Sequence, residues 1–250
     1  MTRRRKNRWK RRALGVFTLI LVGAASYGFQ RAKAWATAEG RFPIREVRVK
    51  GNDLLWEGEI LDIASVERGG NILRLDVDGV EERLSRSGWV RKAAVRRIPP
   101  GRVDLRIEER EPWMLLLDGE HPLFVDREGA VFPALGKEQS LDLPILVDRS
   151  GRPGKIVAEL AEAFPAGDGW FDQRIAQMEI DEEGSVSLWE IPYGTKIRLG
   201  MGAFPAKVER LRAVLADWER KSERYGEVDL RFANQVIARD PVHEKEKKRS

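Results

Sequence analysis

Apolar residues between 42 and 112 recur with a period of two in some stretches and near 3.6 in others. The first period predicts strands and the second predicts amphipathic helices. In chain order, the predicted elements are a strand over 44–50, a helix over 57–65, a helix beginning near Asp76 or Asp78, and strands over 90–98 and 102–108 joined by a turn at 99–101. The predicted order is therefore β-α-α-β-β.

The second half of the chain combines further strands with one long amphipathic helix. Its apolar positions Phe204, Val208, Leu211, Leu215 and Trp218 recur at helical spacing, which is typical of a helix packed on a sheet. The other predicted elements are hairpins over 124–132 and 178–188, an apolar segment at 143–146, a helix over 156–164, and strands over 194–200, 227–232 and 234–239.

A charge-free segment lies near the N-terminus. The 17 residues Ala13–Phe29 span about 25 Å as a helix, close to a hydrocarbon core of about 30 Å. Arg12 and Arg31 can snorkel toward the headgroups and cover the difference. We therefore predict an uncleaved transmembrane anchor over 13–32. The alternative is a cleaved signal peptide, because small residues that resemble cleavage sites follow the segment.

Charge is distributed unevenly along the 250 residues. Residues 1–12 hold eight basic and no acidic side chains, which leaves 37 basic and 40 acidic groups in the remaining 238 residues. A basic excess before an apolar segment predicts a cytoplasmic N-terminus and an exported remainder. The chain has no cysteine and only two isolated histidines, His121 and His243. We therefore expect no disulfide and no metal or other cofactor.

Four stretches carry a resemblance to a known domain. They are FPIREVRVKGN at 42–52, GNILRLD at 70–76, GWVRKAAVRR at 88–97 and VDLRIEEREP at 103–112. Together with the β-α-α-β-β order, they resemble a POTRA domain, in particular that of the FtsQ/DivIB family of bacterial cell-division proteins.

This resemblance implies an α+β chain with a single N-terminal transmembrane helix, a POTRA domain, and a mixed or antiparallel β-domain with two covering helices. The implied parts are a basic cytoplasmic tail at 1–12, the anchor at 13–32, the POTRA domain at 41–112, the FtsQ-type β-domain at 113–240 and a charged tail at 241–250. The implied location is the cell inner membrane at the division septum, with the bulk of the chain in the periplasm.

Other classes of function have little support in the residues. Acidic groups at 108–109, at 118 and 120 and at 181–183 could serve a wall hydrolase, but strand faces and a turn are expected to solvate them. No glycine-rich phosphate loop is present. The segment after 112 has too few strands for a membrane barrel, and the slightly acidic exported part disfavours nucleic acid. We expect a protein without enzymatic activity.

The resemblance implies a scaffold that recruits FtsB and FtsL and so links early and late division proteins. It also implies the POTRA domain as a contact for other division proteins, and no small-molecule substrate. A sheet that ends at the C-terminus commonly leaves its last strand on an edge, where a partner segment can add as another strand. By position, the family's docking strand corresponds to 229–239. The candidate contact residues are Arg231, Phe232, Asn234, Val236 and Arg239. An exported POTRA-containing adaptor of another envelope assembly, with a cleaved signal peptide, is the alternative.

Phe232 matches the position of an aromatic contact residue in the family, where tyrosine is frequent. Its alternative role is to fill the core beside Val228 and Leu230, since the three residues share parity in a regular strand. Asn234-Gln235 departs from the family's common Asn-Gly. Acidic groups on the partner would be the counterparts of the two arginines.

Overall fold

The computed structural model describes residues 3–118, 121–134, 141–167, 169–233 and 235–241. The chain divides into two compact units, Met1–Glu109 and Arg110–Ser250. Each unit has its own sheet.

The first unit contains a three-stranded sheet. Its elements are α1 (Arg3–Ala36), β1 (Glu46–Lys50), α2 (Glu57–Ala64), α3 (Val77–Arg86), β2 (Val90–Ile98) and β3 (Arg102–Glu109). The strand order is β1-β3-β2, with β1 parallel and β2 antiparallel to β3. From residue 46 onward, this arrangement confirms the predicted β-α-α-β-β order.

Local chemistry sets two boundaries in this unit. Helix α3 begins after Asp76, whose carboxylate accepts a hydrogen bond of 3.2 Å from the Gly79 N–H. Asp76, not Asp78, is therefore the N-cap. Strand β1 ends before Gly51, which has φ +83° and faces the Ile107 carbonyl so closely that a Cβ would overlap it. Only glycine fits both conditions.

The segment predicted as a membrane anchor lies inside α1. From Leu14 to Trp35, its side chains are exposed. Among the described residues, however, no helix is both long enough and apolar enough to cross a membrane. The predicted transmembrane helix is therefore not confirmed.

The second unit contains a mixed sheet of nine strands in the part described. Its strands are β4 (Pro112–Asp118), β5 (His121–Asp126), β6 (Val131–Pro133), β7 (Ile145–Asp148), β8 (Ile175–Ile180), β9 (Val186–Glu190), β10 (Lys196–Gly200), β11 (Tyr225–Asp229) and β12 (Ile237–Pro241). Its helices are α4 (Pro153–Ala161), α5 (Trp170–Arg174) and α6 (Phe204–Lys221). The strand order is β12-β11-β10-β9-β8-β7-β4-β5-β6.

Helix α6 follows its predicted amphipathic pattern. All five stripe residues are buried in one apolar core with sheet residues such as Leu188, Ile197 and Val228. Helix α4 contributes Val157 and Leu160 to the same core. Burial of this stripe fixes the α6 backbone on the sheet, because each buried side chain gives up favourable contacts if the helix shifts.

Two elements of this unit were not predicted. Strand β4 has the apolar run Trp113-Met-Leu-Leu-Leu117, in which the neighbours Trp113 and Met114 are both buried while Leu117 is 54% exposed. Because no polar residue interrupts the run, it lacks the alternation that predicts a half-exposed strand. Helix α5 has only five residues, too few to show a helical period. The predicted two helices of this unit, α4 and α6, are present, and the short α5 is a third that was not predicted.

Candidate protein-binding edge

The last strand of the chain lies at one edge of the nine-stranded sheet. Strand β12 pairs antiparallel with β11, with Glu227 opposite Arg239 and Val228 opposite Ala238. In the sheet as described, β12 has a neighbour on one side only. Its outer backbone groups can therefore pair with an added strand.

Strand β11 is held in place by apolar packing beneath it. Val228 and Leu230 are fully buried, and the Tyr225 ring lies 4.5 Å from the Trp218 ring of α6. The Leu230 N–H donates to the Arg198 carbonyl at 2.9 Å, so contact with β10 continues one residue beyond β11.

The structure replaces the predicted continuous docking strand with two strands and a connection. Strand β11 ends at Asp229 and β12 begins at Ile237, so Arg231, Phe232 and Val236 lie between strands. Arg239 is the one predicted contact residue that lies in β12, and Asn234 lies outside the described residues. We refer to β12 together with the connection formed by residues 230–233 and 235–236 as the docking edge.

Arg231 is occupied within its own chain. Its Nε lies 3.0 Å from Asp229 Oδ1 and its Nη2 lies 2.6 Å from Oδ2, while its backbone N–H donates to Oδ1 at 3.0 Å. The side chain of Asp229 is completely buried. The side-chain hydrogen bond from Arg231 lowers the pKa of Asp229 and raises the pKa of Arg231. Arg231 is thus engaged by a buried carboxylate of its own chain, although its side chain is 45% exposed. Its contact with an acidic partner group stays a prediction.

Phe232 is half-exposed. It retains 43% of its accessible surface, whereas Val228 and Leu230 retain none. The chain leaves the strand at Asp229, so the parity that would have turned Phe232 inward no longer applies. The alternative that Phe232 fills the core is therefore wrong. Val236 is half-buried and packs against the core.

Charges alternate across the strands that lead to this edge. Glu227 Oε1 lies 3.0 Å from Arg198 Nε on β10 and 3.9 Å from Arg239 Nη1 on β12. Arg239 is the last member of this row, and its side chain is 56% exposed. The row of charges therefore ends at the edge strand β12 with the positive charge of Arg239.

One residue that contacts the docking edge was missed by the sequence patterns. Arg210 of α6 donates hydrogen bonds to the carbonyl oxygens of Leu230, Phe232 and Ala233. Arg210 lies about 20 residues before these acceptors in the chain. Patterns of residue spacing cover only a few neighbouring positions, so they do not predict this contact. The position of Arg210 outside the apolar stripe of α6 shows only that it faces away from the core.

The acidic residues considered for catalysis have structural contacts. Glu109 accepts hydrogen bonds from the backbone N–H groups of Asp53, Leu54 and Leu55, and Asp181 accepts them within its hairpin turn. Glu108 forms ion pairs with neighbouring basic residues. Glu120 lies outside the described residues. Within the described ranges, no group of three potential metal ligands occurs.

The fold defines a POTRA-containing protein with a C-terminal β-rich unit. The family model "POTRA domain, FtsQ-type" matches residues 42–110, and the model "Cell division protein FtsQ/DivIB, C-terminal" matches residues 116–231. The second match stops before Phe232, so most of the docking edge lies beyond it.

Curated relatives agree with these models. The cell division protein FtsQ of Anaeromyxobacter sp. (strain K) is 32% identical over 216 residues, which cover 82% of this chain and 71% of that protein. FtsQ of Geotalea daltonii is 25% identical over 236 residues, covering 90% and 84%. The chain therefore belongs to the FtsQ/DivIB family of cell-division proteins.

A solved structure also aligns with the chain. It is the major extracytoplasmic domain of the trans isomer of DivIB from Geobacillus stearothermophilus, with 16% identity and a TM-score of 0.34. The alignment covers 45% of this chain and 97% of the other. A similarity of this size supports no conclusion about function.

Proposed function

We propose that this protein is a non-enzymatic scaffold of the division machinery that recruits FtsB and FtsL through the docking edge. The observation that carries the proposal is an open strand, β12, beside a half-exposed aromatic residue, Phe232. An extended partner segment would gain main-chain hydrogen bonds from β12, and its apolar side chains would cover Phe232. Partly exposed aromatic residues commonly dominate such interfaces.

The charge row gives the partner segment a further requirement. Because the row Arg198–Glu227–Arg239 ends on a positive charge, an added strand would continue the alternation with a carboxylate beside Arg239. An arginine fork can be shared between two carboxylates, so the contact with Glu227 need not be lost. A partner carboxylate is thus assigned first to Arg239, and Arg231, whose side chain is 45% exposed, stays a predicted contact.

The membrane anchor over 13–32 belongs to the same proposal. Its support is the uncharged stretch within α1, the exposed apolar side chains along it, and the eight basic residues before it. The N-terminus would be cytoplasmic, and the POTRA domain at 41–112 and the β-domain at 113–240 would be periplasmic. Retention of the chain in membranes after an alkaline wash is expected. Release of the chain, with a shortened N-terminus by mass spectrometry, would instead indicate a cleaved signal peptide.

Binding of the full-length chain to the exported segments of FtsB and FtsL tests recruitment. Phe232→Glu should abolish or strongly weaken binding, because it places a charge where apolar surface is to be covered. Ile191→Glu is the matched control, since Ile191 is an exposed apolar residue of the same unit (54%) in the connection before β10. Equal effects of the two variants would move the site elsewhere. Absence of binding by the wild type would refute the partner assignment.

A further inference from the structure

We propose that Arg210 positions the docking edge, by holding residues 230–233 in the shape that presents Phe232 to a partner. This inference rests on the proposed function. It concerns a residue that would contact no partner and would act through the backbone on either side of Phe232.

The guanidinium of Arg210 reaches three carbonyl oxygens of the connection. Nη1 donates to Phe232 O and to Ala233 O, each at 2.7 Å, and Nη2 donates to Leu230 O at 3.4 Å. A planar guanidinium presents several N–H donors in a fixed fork, so one side chain can bind all three acceptors. The contacted carbonyls lie before, at and after Phe232.

The base of this contact is rigid. Arg210 lies between Val208 and Leu211, which are both buried in the core under α6. At the other end, Leu230 is fully buried and Asp229 is bound to Arg231. The backbone at Phe232 is therefore tied to fixed elements on two sides while its ring stays half-exposed.

A preformed connection lowers the cost of binding. A partner that meets a mobile loop must order its backbone and the Phe232 side chain, and that ordering reduces affinity. Loss of the Arg210 contacts should thus weaken partner binding although Arg210 itself is not covered by the partner. Because an ordering cost near 1.4 kcal/mol corresponds to a factor of ten, a loss of about tenfold is expected.

Three variants of the full-length chain separate this role from its alternatives. Arg210→Ala removes the donors. Arg210→Lys keeps the charge but has no planar fork to bind three carbonyls. Arg220→Ala is the matched control on the same helix, because Arg220 is 77% exposed and its Nη2 binds Asp217 within α6.

Two measurements are made on each variant. Hydrogen exchange of the free protein over 230–239 should become faster in both Arg210 variants, while the buried core strands keep their protection, and Arg220→Ala should change neither. Affinity for a synthetic exported segment of FtsB should fall about tenfold in both Arg210 variants. In a Phe232→Ala background the same Arg210→Ala change should cost much less, because the aromatic contact that it positions is already gone.

Several results would overturn the proposal. They are unchanged exchange over 230–239 in Arg210→Ala, binding by Arg210→Lys that equals the wild type, or full additivity with Phe232→Ala. Lysine rescue would show that charge alone matters. If the wild type does not bind the FtsB segment, the proposed function fails, and hydrogen exchange still decides whether Arg210 orders the edge.

Discussion

The buried pair of Asp229 and Arg231 predicts unequal costs for removing its two members. Arg231→Ala leaves a fully buried carboxylate without its charged donor, whereas Asp229→Asn leaves a guanidinium that is 45% exposed and that water can solvate. Hydrogen bonds to charged groups contribute about 1.5–3 kcal/mol. We therefore expect Arg231→Ala to lower the free energy of unfolding by about 2–3 kcal/mol and Asp229→Asn by about 1 kcal/mol.

The loss of stability caused by Arg231→Ala should also depend on pH. Arg231 lowers the pKa of Asp229 below that of an unfolded aspartate, so the folded state holds fewer protons. The stability from this pair is fully present above the ordinary aspartate pKa of about 3.9 and is lost as the pH falls through the lowered value. The difference between wild type and Arg231→Ala should thus be large at neutral pH and shrink in acid.

Urea unfolding of the full-length wild type and both single variants measures these differences in the free energy of unfolding. Hydrogen exchange in β11 and β12 during the titration assigns them to the C-terminal unit. The double variant completes a double-mutant cycle, and its coupling free energy measures the interaction between Asp229 and Arg231. Equal costs for the two single variants, or a cost of Arg231→Ala that stays constant into acid, would refute the assignment of Arg231 to the buried carboxylate. Loss of partner binding in Arg231→Ala without loss of stability would support Arg231 as a contact residue.

Three further predictions concern stability in the two units. Gly51→Ala should destabilise the first unit by at least about 2 kcal/mol in urea unfolding, because a Cβ at φ +83° would overlap a backbone carbonyl; a neutral result would contradict the turn geometry. Glu109→Gln should cost about 1–3 kcal/mol in the same assay, since its carboxylate accepts three backbone N–H groups, and Glu111→Gln on the exposed surface is the control. Burial raises the pKa of Glu190 against the opposing effect of Arg174, so the folded state holds the extra proton and wild-type stability should fall as pH rises through the glutamate range. Glu190→Gln should remove that fall, and an identical pH profile for the variant would contradict it.

Local pattern was sufficient where an element packs one face against a core. The stripe of α6 and the alternation of β3 each predicted the buried side chains, because burial on any apolar surface needs only the correct period. Strand β4 shows the opposite case. Its apolar run includes the exposed Leu117 as well as the buried neighbours Trp113 and Met114, so the run has no period and does not distinguish a strand from another apolar segment.

The candidate site depended more heavily on tertiary contacts. Alternation extended the predicted strand to Phe232, yet the strand ends at Asp229, where Arg231 folds back on the carboxylate and Arg210 binds the carbonyls of the connection. The Arg210 contacts join residues of different elements, and no spacing in the chain encodes them. Asp229 and Arg231 are only two residues apart, but the burial of the carboxylate depends on packing from other elements.

The β-α-α-β-β order of the first unit, the stripe of α6 and the family resemblance could thus be predicted from the chain alone, because periodicity and short motifs are local properties. Three features became visible only in the folded chain: the end of β11 at Asp229, the exposure of Phe232, and the pairing of Arg231 with a buried carboxylate. Strand neighbours and the pairing of charges are set by long-range packing, in which each choice depends on all the others.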